Sequence, residues 1–292
     1  MGYIFPSLFE NINLLVIIIL VIAFIWLFYL YKLIKRNKVN NSIKKLGDLL
    51  HPFIESADAI GHMPKMMWKL AGVYFFQWYA LFIYWQFITP MLRSSLFGIS
   101  HNDDEKYKAI IDACKAGETI STVDVSFAQN MNVMAGEALA QTGLMNGTYN
   151  LVTMLVALAL VPFARKYSSK AVYVVSLFFT GMAMLSMPFI SNEYALLAPM
   201  ILFGIGWAAM MGIPYAMVSK VIPEDKRGVY MGIVNMMIVI PMLIQTVTFG
   251  PIIKNLLNNN AENAILFGGV FFIIAGLLAF RLTKGVSEKM VK

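Results

Sequence analysis

Long apolar runs separated by short polar or charged joints are the dominant pattern of this chain. A membrane helix needs about 20 mostly apolar residues, because each backbone N–H and C=O must find a partner inside a segment that water does not reach. The chain supplies seven candidate spans, at residues 14–31, 70–92, 133–163, 172–190, 195–219, 229–253 and 264–282. The pattern therefore predicts an all-α polytopic membrane protein with seven transmembrane helices.

The candidate spans divide the chain into a series of predicted regions. Residues 1–35 hold the first helix, 36–69 form a linker, 70–284 hold a bundle of six helices, and 285–292 form a tail. In the linker, apolar residues recur every third or fourth position from Ile43 to Ala57. This spacing indicates an amphipathic helix at the membrane interface, and a solvated linker helix is the alternative.

Composition and charge support a membrane protein and give its predicted orientation. Hydrophobic residues make up 59% of the chain and charged residues 13%, a balance that disfavours a soluble domain. The net charge of +7 could suggest nucleic-acid binding, but one predicted side of the membrane carries 18 Lys and Arg residues and the other only 5. We therefore expect no nucleic-acid partner. We expect a multi-pass protein of the cell membrane, inner or plasma, with its amino terminus outside and its carboxy terminus cytoplasmic.

The third span carries a stripe of polar residues that are candidates for substrate or proton handling. Burying an ionisable group in hydrocarbon costs at least ~2.5 kcal/mol, so Glu137 is expected to face a cavity or a partner. The alternative is that the span begins later and Glu137 sits at its outer end. Gln141, Asn146 and Tyr149 extend the stripe. Structural hydrogen bonds between helices are the alternative for these residues.

The second and sixth spans also contain polar and aromatic candidates. Gln77, Trp78 and Trp85 combine rings with an amide, which suits a sugar, because sugars present apolar C–H faces and hydroxyl groups. Aromatic belts at helix ends are the alternative for these rings. Asn235 and Gln245 lie on either side of a helix-bending proline in the sixth span. These residues complete the predicted substrate-binding set.

The sequence offers no support for enzyme chemistry. Its three histidines lie outside the candidate spans, with no metal-ligand spacing to cysteine or carboxylates. We find neither a phosphate-binding Gly-Lys-Ser/Thr loop nor a nucleophile elbow. We therefore predict that the chain is not an enzyme and has neither a catalytic residue, a metal site nor a cofactor.

Several sequence strings resemble a known family. The strings GW at 206–207, IPYAM at 213–217 and GVYMG at 228–232, followed by Asn235, closely resemble the tenth and eleventh helices of the sucrose/proton symporter-like, or glycoside transporter, branch of the major facilitator superfamily. Residues 63–87 are similar to the start of that family's seventh helix. The chain departs from the family at Met242, where glutamine is common, and at Arg165 and Ser168, where aspartate and glycine are usual. The Arg165 departure weakens the expected gating role of its loop.

The resemblance implies a larger transporter than this chain. It implies twelve helices in two halves, with substrate bound between them, so the chain would cover helices six to twelve and the amino-terminal half would be missing. It further implies a disaccharide or glycoside substrate, proton coupling and alternating access within a lipid bilayer. The cytoplasmic gating candidates are Arg165, Lys166, Lys170 and Arg227. The alternative with the same helix count is a seven-helix membrane receptor.

Overall fold

The computed structural model describes residues 55–56 and 58–282. The predicted first span, the tail and most of the predicted amphipathic linker lie outside these residues, as do the side chains of His101, Val161 and Arg165. The regular structure of the described part is helical. Its principal helices are α1 (Lys65–Ser95), α2 (His101–Lys115), α3 (Thr122–Tyr167), α4 (Ser169–Ser186), α5 (Leu197–Val218), α6 (Arg227–Leu256) and α7 (Ala261–Ala279), with a 3-10 turn at Met187–Phe189.

The predicted all-α membrane fold is confirmed. Within the described residues, five helices are long and apolar enough to cross a membrane: α3, α4, α5, α6 and α7. Helix α1 has 31 residues, but its tyrosine, tryptophan and glutamine side chains make it less apolar than these five. Many of those side chains are buried, including Tyr74, Gln77 and Tyr84. The polar side chains of helix α1 therefore face other parts of the protein inside the bundle. The count of seven spans stays a prediction.

Contacts divide the chain into two units, of which the larger comprises residues 64–227 and 234–292. In this unit α1 packs along α7, α4 packs against both α5 and α7, and α3 packs against α5. Its fully buried side chains include Tyr74, Tyr84, Tyr173, Phe203 and Phe272. In the other unit, the described residues 58–62 form part of a helical turn, in which a ring nitrogen of His62 lies 3.0 Å from the Asp58 carbonyl oxygen.

Two glycines allow α5 to approach its neighbours closely. A Cβ atom on Gly204 would lie 2.6 Å from the Tyr149 carbonyl oxygen on α3, and one on Gly206 would lie 1.8 Å from Thr180 Oγ1 on α4. The Thr153 hydroxyl of α3 donates to the Gly204 carbonyl at 3.0 Å. Small residues permit such approach in membrane bundles, where packing contributes much of the helix association.

Helix α6 contacts α1 through long side chains. The hydroxyls of Tyr79 and Thr248 are 2.8 Å apart, and the Phe249 ring lies 5.2 Å from the ring of Phe87. Phe249 and Tyr79 also belong to one buried apolar cluster. Aromatic rings thus fill the space between these two helices.

Helix α2 lies in the segment that the charge pattern predicts to be outside the membrane. Its capping residue Ser100 hydrogen-bonds to Asp103 through its hydroxyl and its backbone N–H. These bonds hold the pKa of the Asp103 carboxyl below its usual range. Arg93 at the end of α1 pairs with Asp104 of α2, and Ser94 donates to Glu262 of α7 at 3.0 Å. Polar contacts therefore link one end of α1 to both α2 and α7.

We expect Gly206→Ala to destabilise the bundle. The added methyl group collides with Thr180 and with the Ser176 carbonyl, 2.9 Å away, and overpacking of this kind costs about 1–3 kcal/mol. Thermal unfolding of the detergent-solubilised protein, followed by circular dichroism, measures the effect. Gly143→Ala is the matched control, because a Cβ there meets nothing within 4 Å. An equal melting temperature for both variants would contradict the proposed packing role.

Candidate substrate site

Four aromatic side chains from three helices form a cluster around Trp207. The centre of the Trp207 ring of α5 lies 6.0 Å from that of Trp78 and 5.9 Å from that of Trp85, both on α1. It lies 6.5 Å from the centre of the Tyr149 ring of α3. All three ring pairs are T-shaped, an arrangement that aromatic quadrupoles favour. We call Trp78, Trp85, Tyr149 and Trp207 the Trp207 cluster.

The Trp207 cluster is buried on one side and accessible on the other. Trp78 and Tyr149 are 3% and 7% exposed, whereas Trp85 is 38% exposed. Behind the cluster, Tyr149 packs against Phe203 at 5.1 Å. This packing leaves the rings few alternative positions, so the cluster presents a firm apolar surface at its open side.

Several buried polar atoms on α1 and α6 have no protein partner. In the described part of the chain, these atoms include the Tyr74 hydroxyl, Gln77 Nε2, Trp78 Nε1 and Gln245 Oε1. The first three lie within two turns of α1. An unpaired buried polar group costs about 1–3 kcal/mol. Such groups are therefore informative at a site where a substrate hydroxyl could pair with them.

Other polar candidates are held in place by hydrogen bonds. Gln77 Oε1 accepts from the Tyr173 hydroxyl of α4, and Gln245 Nε2 donates to Gln86 Oε1 at 3.1 Å. Asn146 accepts from the Tyr84 hydroxyl at 3.0 Å. The amides of Gln77 and Asn146 thus belong to helices α1 and α3, which also carry members of the Trp207 cluster.

The remaining polar candidates, two on α3 and one on α6, differ in their surroundings. Gln141 donates to the Glu193 carbonyl at 2.7 Å, which fits the alternative of a structural bond. Glu137 is exposed on α3, and the exposed Asn235 of α6 accepts from the Tyr215 hydroxyl at 2.7 Å. The substrate roles predicted for Gln141 and Asn235 stay predictions.

Some residues of this site are absent from the predicted substrate-binding set. Trp207 enters the sequence argument only within the GW string, because a single tryptophan in an apolar span gives no sign of the three rings around it. Tyr173 and Tyr215 likewise give no sign in the sequence of the amides that they contact. Gln86 belongs with the amides and rings of the second span that suit a sugar, although the predicted set does not include it.

The profile of the Major Facilitator Superfamily matches residues 119–290, which is more than half of the chain. The chain belongs to the Major Facilitator Superfamily. Sucrose transport protein SUT5 from Oryza sativa subsp. indica, and that from Oryza sativa subsp. japonica, are each 36% identical to it over 95 residues. This match covers 31% of the chain but only 18% of each relative. No solved structure matches the chain.

Membership of this superfamily indicates a transporter and not an enzyme. It does not favour the seven-helix receptor. The described residues contain no group of three or more His, Cys, Asp or Glu side chains that could hold a metal ion. The candidate site is therefore composed of aromatic rings and amide groups.

The predicted gating residues lie at two helix joints. Lys166 is positioned over the Tyr167 ring at 5.0 Å, and Lys170 donates to the Phe280 carbonyl at the end of α7. Arg227 lies 3.5 Å from Glu224. The side chain of Arg165 falls outside the described part. Their gating role stays a prediction.

We expect the hydrogen bond between Gln77 and Tyr173 to stabilise the site. In a double-mutant cycle, Gln77→Leu and Tyr173→Phe should show a coupling energy of about 1 kcal/mol, because each change removes the same bond. Chemical unfolding of the detergent-solubilised protein provides the free energies. Tyr149→Phe serves as the control partner for Gln77→Leu and should show no coupling. Equal coupling in both cycles would contradict the assignment.

Proposed function

We propose that this chain forms one half of a proton-coupled transporter for a disaccharide or related glycoside, which works by alternating access. The Trp207 cluster is the observation that carries the proposal. Its supporting context is membership of the Major Facilitator Superfamily and the similarity to sucrose transport proteins. The chain spans less than a fifth of those relatives in the matched region, so the whole transporter's activity is part of the proposal.

The chemistry of the Trp207 cluster suits a sugar. Trp85 and Trp207 offer rings against which the apolar C–H face of a pyranose or furanose can pack. Gln77 Nε2 and Trp78 Nε1 are unpaired donors, and Gln245 Oε1 is an unpaired acceptor. Ligand pockets commonly combine apolar walls with a few placed polar groups. Sugar hydroxyls can both donate and accept, so they match both kinds of unpaired atom.

A second transporter half explains the exposed faces of α3 and α6. Within the apolar 18-residue stretch of each helix, only 11% of α3 and 22% of α6 are buried, whereas 56% of α5 is buried. The exposed residues include Glu137 on α3 and Asn235 on α6. A charged side chain facing hydrocarbon is costly, whereas a water-filled cavity between two halves would solvate it. We therefore place the second half of the transporter against these faces.

Proton coupling is assigned to Glu137. A carboxyl group can gain and lose a proton, and intramembrane carboxylates commonly serve proton relays. Glu137 is on the same helix as Asn146 and Tyr149, and it is exposed on the face where we place the cavity between the halves. The charge asymmetry supports an orientation with the amino terminus outside, in the plasma or inner membrane. Lys166, Lys170 and Arg227 then lie at the cytoplasmic side.

Sucrose binding tests the role of the Trp207 cluster. The chain in lipid nanodiscs should bind radiolabelled sucrose saturably in equilibrium dialysis. We expect Trp207→Leu to weaken binding about tenfold or more, because it removes the ring at the centre of the cluster. Trp68→Leu is the matched control, since Trp68 is 55% exposed and lies near the start of α1. No saturable binding by the wild type, or equal affinities of the two variants, would contradict the proposal.

The same binding assay tests the charge of Glu137. Glu137→Gln removes the charge and keeps the size of the side chain, so it should change the affinity for sucrose. Glu193→Gln, an exposed change in the joint between α4 and α5, should leave the affinity unchanged. Equal affinities of the wild type and Glu137→Gln would contradict a role of this charge at the site.

A further inference from the structure

An apolar crevice of about 600 Å³ lies between α3, α4 and α5. Its walls include Ala159, Phe163 and Tyr167 of α3, Ala171 and Val175 of α4, and Ile205 of α5. We call it the α3–α4 crevice. Members of the Trp207 cluster do not line it, so it is a separate feature of the fold.

The helix geometry around the crevice accounts for its shape. Helices α3 and α4 are joined by Ser168 alone, whose φ of 76° is unusual for a residue with a side chain. This short joint holds one end of both helices together. Farther along, α3 is held against α5 at Gly204. Between these two fixed points, the small side chains of Ala159 and Ala171 leave the gap unfilled.

The lining decides the kind of molecule that fits. Almost all of the crevice surface is apolar, and a water molecule needs two or more polar partners to occupy a site stably. The volume is within the range of ligand pockets, about 300–1,000 Å³. Phe163 and Val175 at its walls are 55% and 49% exposed, so the crevice opens to the surroundings of the bundle. For a membrane protein, a hydrocarbon chain matches this lining and this opening.

Charge at one end of the crevice specifies the headgroup. Tyr167 lines the crevice, and the Lys166 ammonium lies 5.0 Å from the centre of its ring. Lys170 is turned elsewhere, because its ammonium donates to the Phe280 carbonyl at the end of α7, a helix that does not line the crevice. Among the described residues, Lys166 forms no salt bridge with a carboxylate. A lysine at the end of a membrane helix attracts an anionic lipid headgroup.

We infer that the α3–α4 crevice binds an anionic phospholipid. One acyl chain occupies the space between Ala159 and Ala171, and the phosphate group pairs with Lys166. The inference rests on the apolar lining together with the adjacent positive charge, and it does not depend on sugar transport.

Native mass spectrometry of the full chain in detergent tests the inference. The delipidated protein is titrated with dioleoylphosphatidylglycerol and, separately, with dioleoylphosphatidylcholine. We expect one tightly retained phosphatidylglycerol and weaker retention of phosphatidylcholine. Ala159→Phe fills the crevice and should lower phosphatidylglycerol affinity at least fivefold. Ala157→Phe is the matched control, because Ala157 is exposed on the same helix and does not line the crevice.

Charge removal separates the headgroup from the acyl chain. Lys166→Gln should reduce the preference for phosphatidylglycerol over phosphatidylcholine about fivefold. Lys220→Gln, an exposed change in the joint between α5 and α6, should leave the preference unchanged. Circular dichroism confirms that each variant is folded before lipid is added, and a misfolded Ala159→Phe is replaced by Ala171→Leu.

Three outcomes would overturn the inference. No phosphatidylglycerol retained by the wild type would mean that protein, rather than lipid, covers the crevice. Equal affinities of Ala159→Phe and Ala157→Phe would place the lipid elsewhere, and an unchanged preference in Lys166→Gln would remove the headgroup assignment. Sucrose binding can succeed or fail independently of each result, because the crevice and the Trp207 cluster have no lining residue in common.

Discussion

The close approach of α5 to α3 and α4 is the constraint that shapes the bundle and the candidate site together. Gly204 brings α5 against the backbone of α3, and Gly206 brings it against α4. Trp207 follows directly, so its indole is placed where rings from α1 and α3 can meet it. A side chain at either glycine would force α5 outward and would displace Trp207 with it. Packing and the geometry of the candidate site therefore depend on the same four-residue stretch of α5, from Gly204 to Trp207.

Several buried polar atoms of α1 lack a hydrogen-bond partner at the candidate site. Tyr74, Gln77 and Trp78 each leave a polar atom unpaired within the described protein, although unpaired buried groups are costly. Gln77 is nevertheless oriented by Tyr173 through its other amide atom. One amide thus has an oxygen fixed by the protein and a buried nitrogen that lacks a partner. This arrangement is useful in a binding site, because a ligand hydroxyl can recover the missing hydrogen bond.

Helix α3 presents polar residues along one part of its length and apolar residues along another. Its 46 residues would extend for about 69 Å at the usual rise, more than twice the thickness of a bilayer core. Glu137 and Asn146 lie on the part that presents polar groups, whereas Ala159 and Phe163 border the apolar crevice. Tyr149, a member of the Trp207 cluster, lies between these two parts. A continuous helix with few buried residues can therefore present a polar stretch and one wall of an apolar crevice without contributing a large core of its own.

The sequence predicted the helices well because hydrocarbon imposes a simple length and composition requirement. It could not sort the polar residues within them. Gln77 and Gln141 look alike in sequence, each an amide in an apolar span, yet Gln77 keeps a buried, unpaired nitrogen while Gln141 donates its nitrogen to the Glu193 carbonyl. That difference arises from which backbone or side chain happens to face each amide in the folded bundle. Trp207 shows the same limit, since its importance comes from three partners on other helices, and helix periodicity carries no information about partners between helices.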